Sequence, residues 1–143
     1  MTLRLRPMVP GDTARGIELL AQLGYDLDVG MLAQRMSEVA AAPEHALIVA
    51  EAEGRVVGLL HVFARPAVEN PREAIVQSIV VDAGCRRGGV GRCLMDFAEG
   101  WGREHRCRSL ALHSNVTRAP AHAFYAALGY ARPATAHIFR KTL

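Results

Sequence analysis

The segment from residue 74 to residue 101 constrains the fold more than any other part of the chain. It reads AIVQSIVVDA, then GCRRGGVGRC, then LMDFAEGW. The first part is a continuous apolar run with β-branched residues, which is typical of a buried strand. The last part has apolar residues at spacings of three and four, as an amphipathic helix does. A strand that leads through a glycine-rich turn into a helix indicates an anion site, because the first N–H groups of a helix lack partners within it.

The spacing within this turn excludes two common phosphate-binding loops. A Walker A loop requires a lysine where the chain has Val90, and the dinucleotide-binding pattern requires a third glycine where it has Leu94. Residues 86–91 instead match a third pattern, R-x-x-G-x-G. Glycines there would let a phosphate approach the backbone amides, since a side chain would hold it off.

This motif resembles the [QR]-x-x-G-x-[GA] motif of the GNAT superfamily of acyl-CoA-dependent N-acyltransferases. Two further segments resemble that family: FYAALGY at residues 124–130, and RLRPMVPGDTARGIELL at residues 4–20. The resemblance therefore spans nearly the full chain. It implies an α/β (α+β) fold, with a single N-acetyltransferase domain over residues 1–143 and a mixed, mostly antiparallel central sheet flanked by helices.

The resemblance implies acetyl-CoA as co-substrate. In the family, the backbone of the fourth strand pairs with the pantetheine arm, and the glycine loop binds the pyrophosphate. Arginines near the loop can add charge-assisted contacts to phosphate. Asn115 matches a position that often touches the arm, although a turn residue before a helix is nearly as good a reading. The residues expected to bind the cofactor are Ile79, Val80, Val81, Arg86, Arg87, Gly88, Gly89, Val90, Gly91, Arg92, Asn115 and Phe124.

Tyr125 matches the family's usual general acid, and its alternative role is that of a core aromatic residue. A backbone N–H near Ile79 is expected to stabilise the oxyanion. The general base stays open, because many members have a glutamate where this chain has Gln77, and glutamine cannot take a proton. The candidates are Glu69, Glu73, His61 or a water chain that leads to solvent. An acyl-enzyme on Cys85 or Cys93 is disfavoured, because direct transfer needs no such intermediate.

The charge distribution suggests the partners. Residues 1–83 carry seven arginines against eleven acidic residues, whereas residues 84–143 carry ten basic residues against three acidic ones. A basic half suits a polyanionic cofactor and an acidic half suits a cation. With Asp26, Asp28, Glu69 and Glu73 expected on the acceptor side, we predict a cationic small molecule, aminoglycoside-like or polyamine-like. A protein lysine, an N-terminal amine and a non-catalytic acyl-CoA-binding module stay open as alternatives.

Several classes of partner and location are not expected. The arginines are not interleaved with aromatic residues in a nucleic-acid-binding pattern. No apolar run could span a membrane, and the N-terminal residues do not resemble a signal peptide, so we expect a cytoplasmic protein. Three cysteines without C-x-x-C spacing and six scattered histidines predict no metal site. The C-terminal ATAHIFRKTL could pair as an edge strand, which favours a homodimer.

The predicted element order is βααβββαβαβ. Asp12 is expected to cap the first helix, and the second is expected to bury Met31, Leu32, Met36 and Val39. Glu53 and Gly54 predict a hairpin turn. The last strand is expected at HIFRKTL, residues 137–143.

Overall fold

A computed structural model describes residues 2–114 and 118–143 of the chain. The chain divides into two units, Met1–His113 and Ser114–Leu143, and each is described by itself. This division does not test the prediction of one domain over residues 1–143, which stays a prediction. No helix in the described ranges is long and apolar enough to cross a membrane.

The first unit is built on a five-stranded sheet whose strands lie side by side in chain order. Its strands are β1 (Leu3–Pro7), β2 (His45–Ala52), β3 (Arg55–Arg65), β4 (Glu73–Val81) and β5 (Ser109–Leu112). Its α-helices are α1 (Thr13–Gln22), α2 (Val29–Ala41) and α3 (Val90–Glu104). Strands β1 to β4 pair antiparallel, and β5 pairs parallel to β4. The predicted mixed, mostly antiparallel sheet is confirmed.

The turn between β2 and β3 is formed by the two residues that the sequence indicated. Glu53 has φ of 52° and Gly54 has φ of 77°. Left-handed backbone at both central residues matches the twist of the flanking strands, which is why such turns favour tight hairpins.

The helices cover opposite faces of the sheet. Leu19 of α1 is fully buried in a cluster with Val49 and Leu59 of the sheet. The neighbouring Gly58 faces α3 instead, because successive side chains of a strand point to opposite faces. A Cβ atom at Gly58 would lie 2.9 Å from a methyl group of Val90. The absence of that side chain lets the start of α3 approach the sheet closely.

Asp12 does not cap α1 as predicted. Its side chain accepts hydrogen bonds from Arg6, at 2.8 and 2.9 Å, and from the backbone N–H of Val9 at 2.8 Å. The short 3-10 turn Pro10–Asp12 gives Asp12 a nearly helical backbone, with φ of −90° and ψ of 0°. The carboxylate therefore turns back to the arginine of β1, and the prediction of a cap was wrong.

In α2, Leu32 is buried as predicted but Met31 is 40% exposed. Asp28 begins this helix by accepting a hydrogen bond from the N–H of Met31 at 2.8 Å. Met31 thus lies in the exposed first turn, and the buried face begins one residue later.

The second unit contains α4 (Ala119–Ala127). Gly129, with φ of 92°, ends this helix as the sequence predicted, and the N–H of Tyr130 donates to the carbonyl of Tyr125 at 3.0 Å. The predicted last strand is wrong, because residues 130–143 form neither helix nor strand. Ile138 and Phe139 are adjacent and both exposed, so the segment lacks the alternation that would bury one face.

Candidate active site

Strand β4 is longer than β5, the strand that pairs parallel to it. The pairing of β5 with β4 runs from Glu73 opposite Ser109 to Val76 opposite Leu112. Strand β4 continues to Val81, so residues 77–81 have no strand partner on that side among the described strands. This stretch contains Ile79, Val80 and Val81, which were predicted to pair with an extended cofactor arm. A free strand edge is the kind of surface on which an extended ligand adds as a further strand.

A β-bulge marks the point where this free edge begins. On β3, His61 is opposite Ser78 while its neighbour Val62 is opposite Val76. Gln77 is therefore the extra residue of β4. Bulges redirect side chains, and Gln77 and Ser78 both line the same cavity.

The loop after β4 leads into α3 through two residues with left-handed backbone. Arg87 has φ of 70° and Gly89 has φ of 82°. A Cβ atom at Gly89 would meet nothing within 4 Å, so glycine is favoured there by the backbone rather than by crowding. Since α3 begins at Val90, the N–H groups of its first turn have no acceptors within the helix. Such N–H groups can bind a phosphate, and that they do so here stays a prediction.

The arginines of this loop are available to an anion. Arg86, Arg87 and Arg92 are exposed. None of them takes part in the ion pairs found among the described residues.

Side chains of α1 hold the base of the loop, which sequence reasoning missed. Arg15 donates to the carbonyl of Val56 at 2.8 Å and also to the carboxylate of Asp82. Gln22 donates to Asp82 at 3.2 Å and accepts from the N–H of Ala83 at 2.9 Å. These hydrogen bonds, from Gln22 and then Arg15, lower the pKa of Asp82.

A cavity of about 460 Å³ lies on the α1 and α2 side of the sheet. Eight apolar residues form most of its wall: Met8, Leu20, Leu27, Leu32, Met36, Val39, Leu47 and Leu59. Its polar lining residues are Tyr25, Arg35, Glu38, His61, Gln77 and Ser78. The apolar wall was not predicted, because its residues come from four separate elements and two loops.

His61 lies at this cavity and contacts a second histidine. Nδ1 of His45 and Nε2 of His61 are 2.9 Å apart, and His45 stacks on Phe63 with ring centroids 4.9 Å apart. Burial, with a smaller contribution from His45, lowers the pKa of His61 to about 4. His61 is therefore neutral near pH 7 and can accept a hydrogen bond.

The acidic residues predicted on the acceptor side do not line the cavity: Asp26, Asp28, Glu69 and Glu73. Glu73 lies at the start of β4, where it accepts from Arg65 at 3.2 Å and from Ser109 at 2.7 Å. Asp28 caps α2, and Asp26 and Glu69 are exposed.

Tyr125 lies on α4 within the second unit. Its ring meets that of Phe124 edge-on, at 5.2 Å between centroids, and that of Tyr130 at 6.3 Å. Burial raises the pKa of the Tyr125 phenol, partly offset by Arg118. The phenol is thus protonated and able to donate. Asn115 lies outside the described residues. The described residues contain no group of three or more His, Cys, Asp or Glu suited to a metal ion.

Comparison with known proteins identifies relatives over almost the full chain. The aminoglycoside N(6')-acetyltransferase type 1 of Klebsiella aerogenes is 28% identical, over 97% of this chain and 96% of its own. The enzyme of the same name from Stenotrophomonas maltophilia is 29% identical, over 97% of this chain and 93% of its own. The solved structure of the aminoglycoside N-acetyltransferase AAC(6')-Iy in complex with CoA has a TM-score of 0.88 at 20% identity, and the match covers 99% of this chain and 96% of that one.

The family model of the acetyltransferase (GNAT) family matches residues 18–130. This range includes the free edge of β4, the glycine loop and the FYAALGY segment. Members of the family use acetyl-CoA as the acyl donor. The chain therefore belongs to the acetyltransferase (GNAT) family and is an acyl-CoA-dependent N-acetyltransferase.

Proposed function

We propose that this protein transfers the acetyl group of acetyl-CoA directly to the amine of a small molecule, which enters as a cation. The cavity beside Gln77 and Ser78 carries this proposal, because it opens beside the strand edge where a cofactor arm can pair. Its volume of about 460 Å³ is that of a small-molecule site. The two relatives named for aminoglycoside acetylation support a small cationic acceptor over a protein lysine or an N-terminal amine.

The cofactor is held, in this proposal, by the backbone of residues 79–81 and by the loop before α3. The first-turn N–H groups of α3 and the exposed arginines Arg86, Arg87 and Arg92 take the pyrophosphate. The left-handed backbone at Gly89, the residue just before α3, supports this role, because the N–H groups of the first turn of α3 follow directly after the loop.

The amine then loses its proton to water before attack. A carboxylate base is disfavoured because Glu73 is held by Arg65 and Ser109, and neither Glu73 nor Glu69 lines the cavity. The apolar wall favours the neutral amine, since burial disfavours the charged form. With Nε2 of His61 donating to Nδ1 of His45, the other ring nitrogen, Nδ1 of His61, accepts a hydrogen bond from the amine and orients its lone pair, but a pKa of about 4 makes His61 too weak a base to hold the proton.

Attack on the acetyl carbonyl forms an N–C bond and a tetrahedral oxyanion, which a backbone N–H near Ile79 stabilises. Collapse of this intermediate breaks the C–S bond, and the Tyr125 phenol gives its proton to the departing thiolate; the nitrogen loses its second proton as the amide forms, and a proton taken up through solvent restores the phenol. The partly buried, protonated phenol supports this role. The products are an N-acetyl amine and free coenzyme A.

The experiment is a thiol-release assay with acetyl-CoA and a set of small amines, alongside two peptides that carry only a free N-terminus or only a free lysine. We expect turnover with small amines that exceeds turnover with either peptide by at least tenfold in kcat/KM. Acetylation of a peptide in preference to every small amine would reject the small-molecule acceptor. Binding of acetyl-CoA without acetylation of any acceptor would favour the non-catalytic module.

A homodimer and a cytoplasmic location stay predictions. The exposed pair Ile138 and Phe139 in the C-terminal segment supports self-association, because adjacent large apolar side chains on a surface commonly mark an interface.

A further inference from the structure

We propose that the acceptor carries a single amino group on an apolar body, so that this enzyme prefers hydrophobic monoamines to polycations. The inference rests on the proposed function and names the substrate class of the same cavity. It departs from the aminoglycoside substrates in the names of the relatives.

The wall of the cavity carries the first step of the argument. Of its fourteen lining residues, eight are aliphatic or methionine side chains, contributed by α1, α2, the sheet and two loops. Hydroxyl groups or a second ammonium placed against such a wall would lose water without gaining hydrogen bonds. A hydrocarbon chain in the same place gains free energy by leaving water.

The charges give the second step. Arg35 and Glu38 are the charged lining residues, and both lie on exposed positions of α2 with opposite signs. The cavity therefore has no excess of negative charge to attract a polycation. The acidic residues that could have done so are exposed or are engaged elsewhere, as Asp28 is at the start of α2.

The polar groups give the third step. His61 and Ser78 are opposite each other in the sheet, and Gln77 is the bulged residue beside them. These three neighbouring polar residues all line the cavity, whose other lining residues are mostly apolar. One amino group can be oriented there, next to the free edge of β4, while the rest of the acceptor lies against the apolar wall.

The test is a series of primary n-alkylamines, from propylamine to heptylamine, with 1,6-diaminohexane as the matched control for hexylamine and kanamycin as a polycation. With acetyl-CoA saturating, we expect kcat/KM to rise roughly fourfold for each added methylene until the cavity is filled. We expect kcat/KM for hexylamine to exceed that for 1,6-diaminohexane by at least tenfold, after correction for the two amino groups of the diamine. Equal or better turnover of the diamine or of kanamycin would overturn the inference while leaving the proposed function intact.

A charge placed in the wall provides an independent test. Met36→Glu adds a carboxylate among the lining residues, and Met31→Glu adds the same charge to an exposed position of the same helix. We expect Met36→Glu to shift the ratio of kcat/KM for diamine over monoamine by at least tenfold toward the diamine, with no shift in Met31→Glu. An unchanged ratio in a folded Met36→Glu variant would overturn the inference. Failure of every amine in the wild type would overturn the proposed function, and the inference with it.

Discussion

The guanidinium of Arg15 on α1 is hydrogen-bonded to the carboxylate of Asp82, the residue that follows β4. Sixty-seven positions of sequence separate the two, and their ion pair ties the first helix to the base of the proposed pyrophosphate loop. Only 16% of the Arg15 side chain and 14% of the Asp82 side chain are exposed, so solvent weakens this pair less than it does an ion pair on the surface.

We therefore predict that Asp82→Ala weakens acetyl-CoA binding by roughly tenfold, while kcat changes less than threefold, because Asp82 positions the loop and does not touch the reacting atoms. Calorimetry gives Kd, and steady-state kinetics gives kcat. Glu18→Ala is the matched control, since it removes the exposed partner of Arg15 and leaves Asp82 in place. An unchanged Kd in a folded Asp82→Ala protein would show that the loop does not depend on this pair.

A side chain at Gly91 should block cofactor binding. Gly91 lies in the first turn of α3, where helical backbone accommodates a valine, so Gly91→Val tests close approach of a ligand rather than strain. We expect Kd for coenzyme A to rise by roughly a hundredfold or more, equivalent to about 3 kcal/mol. Gly100→Val, on the same helix, is the control and should retain wild-type affinity. If the two variants bind coenzyme A equally well, the loop is not the pyrophosphate site.

Tyr125→Phe should lower kcat by roughly tenfold to a thousandfold, the loss expected when a general acid is removed. The Kd for acetyl-CoA should change little, because the ring is retained. The raised pKa of the phenol also predicts that activity is not lost by ionisation of Tyr125 below about pH 10. Tyr130→Phe serves as the control from the same segment. Full activity of Tyr125→Phe would leave the residue as a core aromatic.

The sequence predicted well those features that depend on neighbouring residues. The unit from β4 through the glycine loop to α3 is specified by hydrophobic period and by glycines at the turn. The Glu53-Gly54 turn is specified by backbone preferences that need no distant partner. Such local preferences predict the folded structure well because they agree with the packing of the whole chain.

Features that depend on partners in another helix, strand or loop were missed. Asp12 looked like a helix cap, but Arg6 of the preceding strand is its stronger partner. The residue 137–143 segment looked like a strand but has no partner strand among the described residues. Gln77 is the extra residue of a β-bulge, and this bulge can be recognised only from the pairing of β3 with β4. The apolar wall of the cavity is assembled by tertiary contacts, and none of the four acidic residues predicted on the acceptor side is among the residues that line it.

Folding stability should fall in acid because of His61. The pKa of His61 is about 4 in the folded protein and 6.5 when unperturbed. As the pH falls, His61 is therefore protonated at a higher pH in the unfolded chain than in the folded protein. The free energy of unfolding should therefore be highest above pH 6.5 and should decline as the pH approaches 4, by on the order of 1 to 2 kcal/mol because solvent screens a side chain that is only partly buried. Urea unfolding at several pH values measures the slope, which His61→Gln should reduce. His137→Gln removes an exposed imidazole and should keep the wild-type slope; an identical slope in both variants would contradict the assignment.

The pH dependence of catalysis should separate the routes by which the amine loses its proton. A base such as Glu69, Glu73 or His61 would make kcat/KM level off above the pKa of that group, and its removal would cost roughly a hundredfold or more. Transfer to water instead predicts that kcat/KM keeps rising up to the pKa of the amine itself, near 10 for an alkylamine by analogy with lysine. We expect the second profile, because Glu73 is engaged by Arg65 and Ser109 and the histidine at the cavity has a pKa of about 4.

Glu69→Gln and Glu73→Gln should then match the wild type, and His61→Gln should lose activity by no more than about tenfold, since glutamine still offers a hydrogen-bond acceptor to the amine. An inflection near pH 6 to 7 that disappears in His61→Gln, or a hundredfold loss in any of the three variants with substrate binding intact, would instead identify a dedicated protein base.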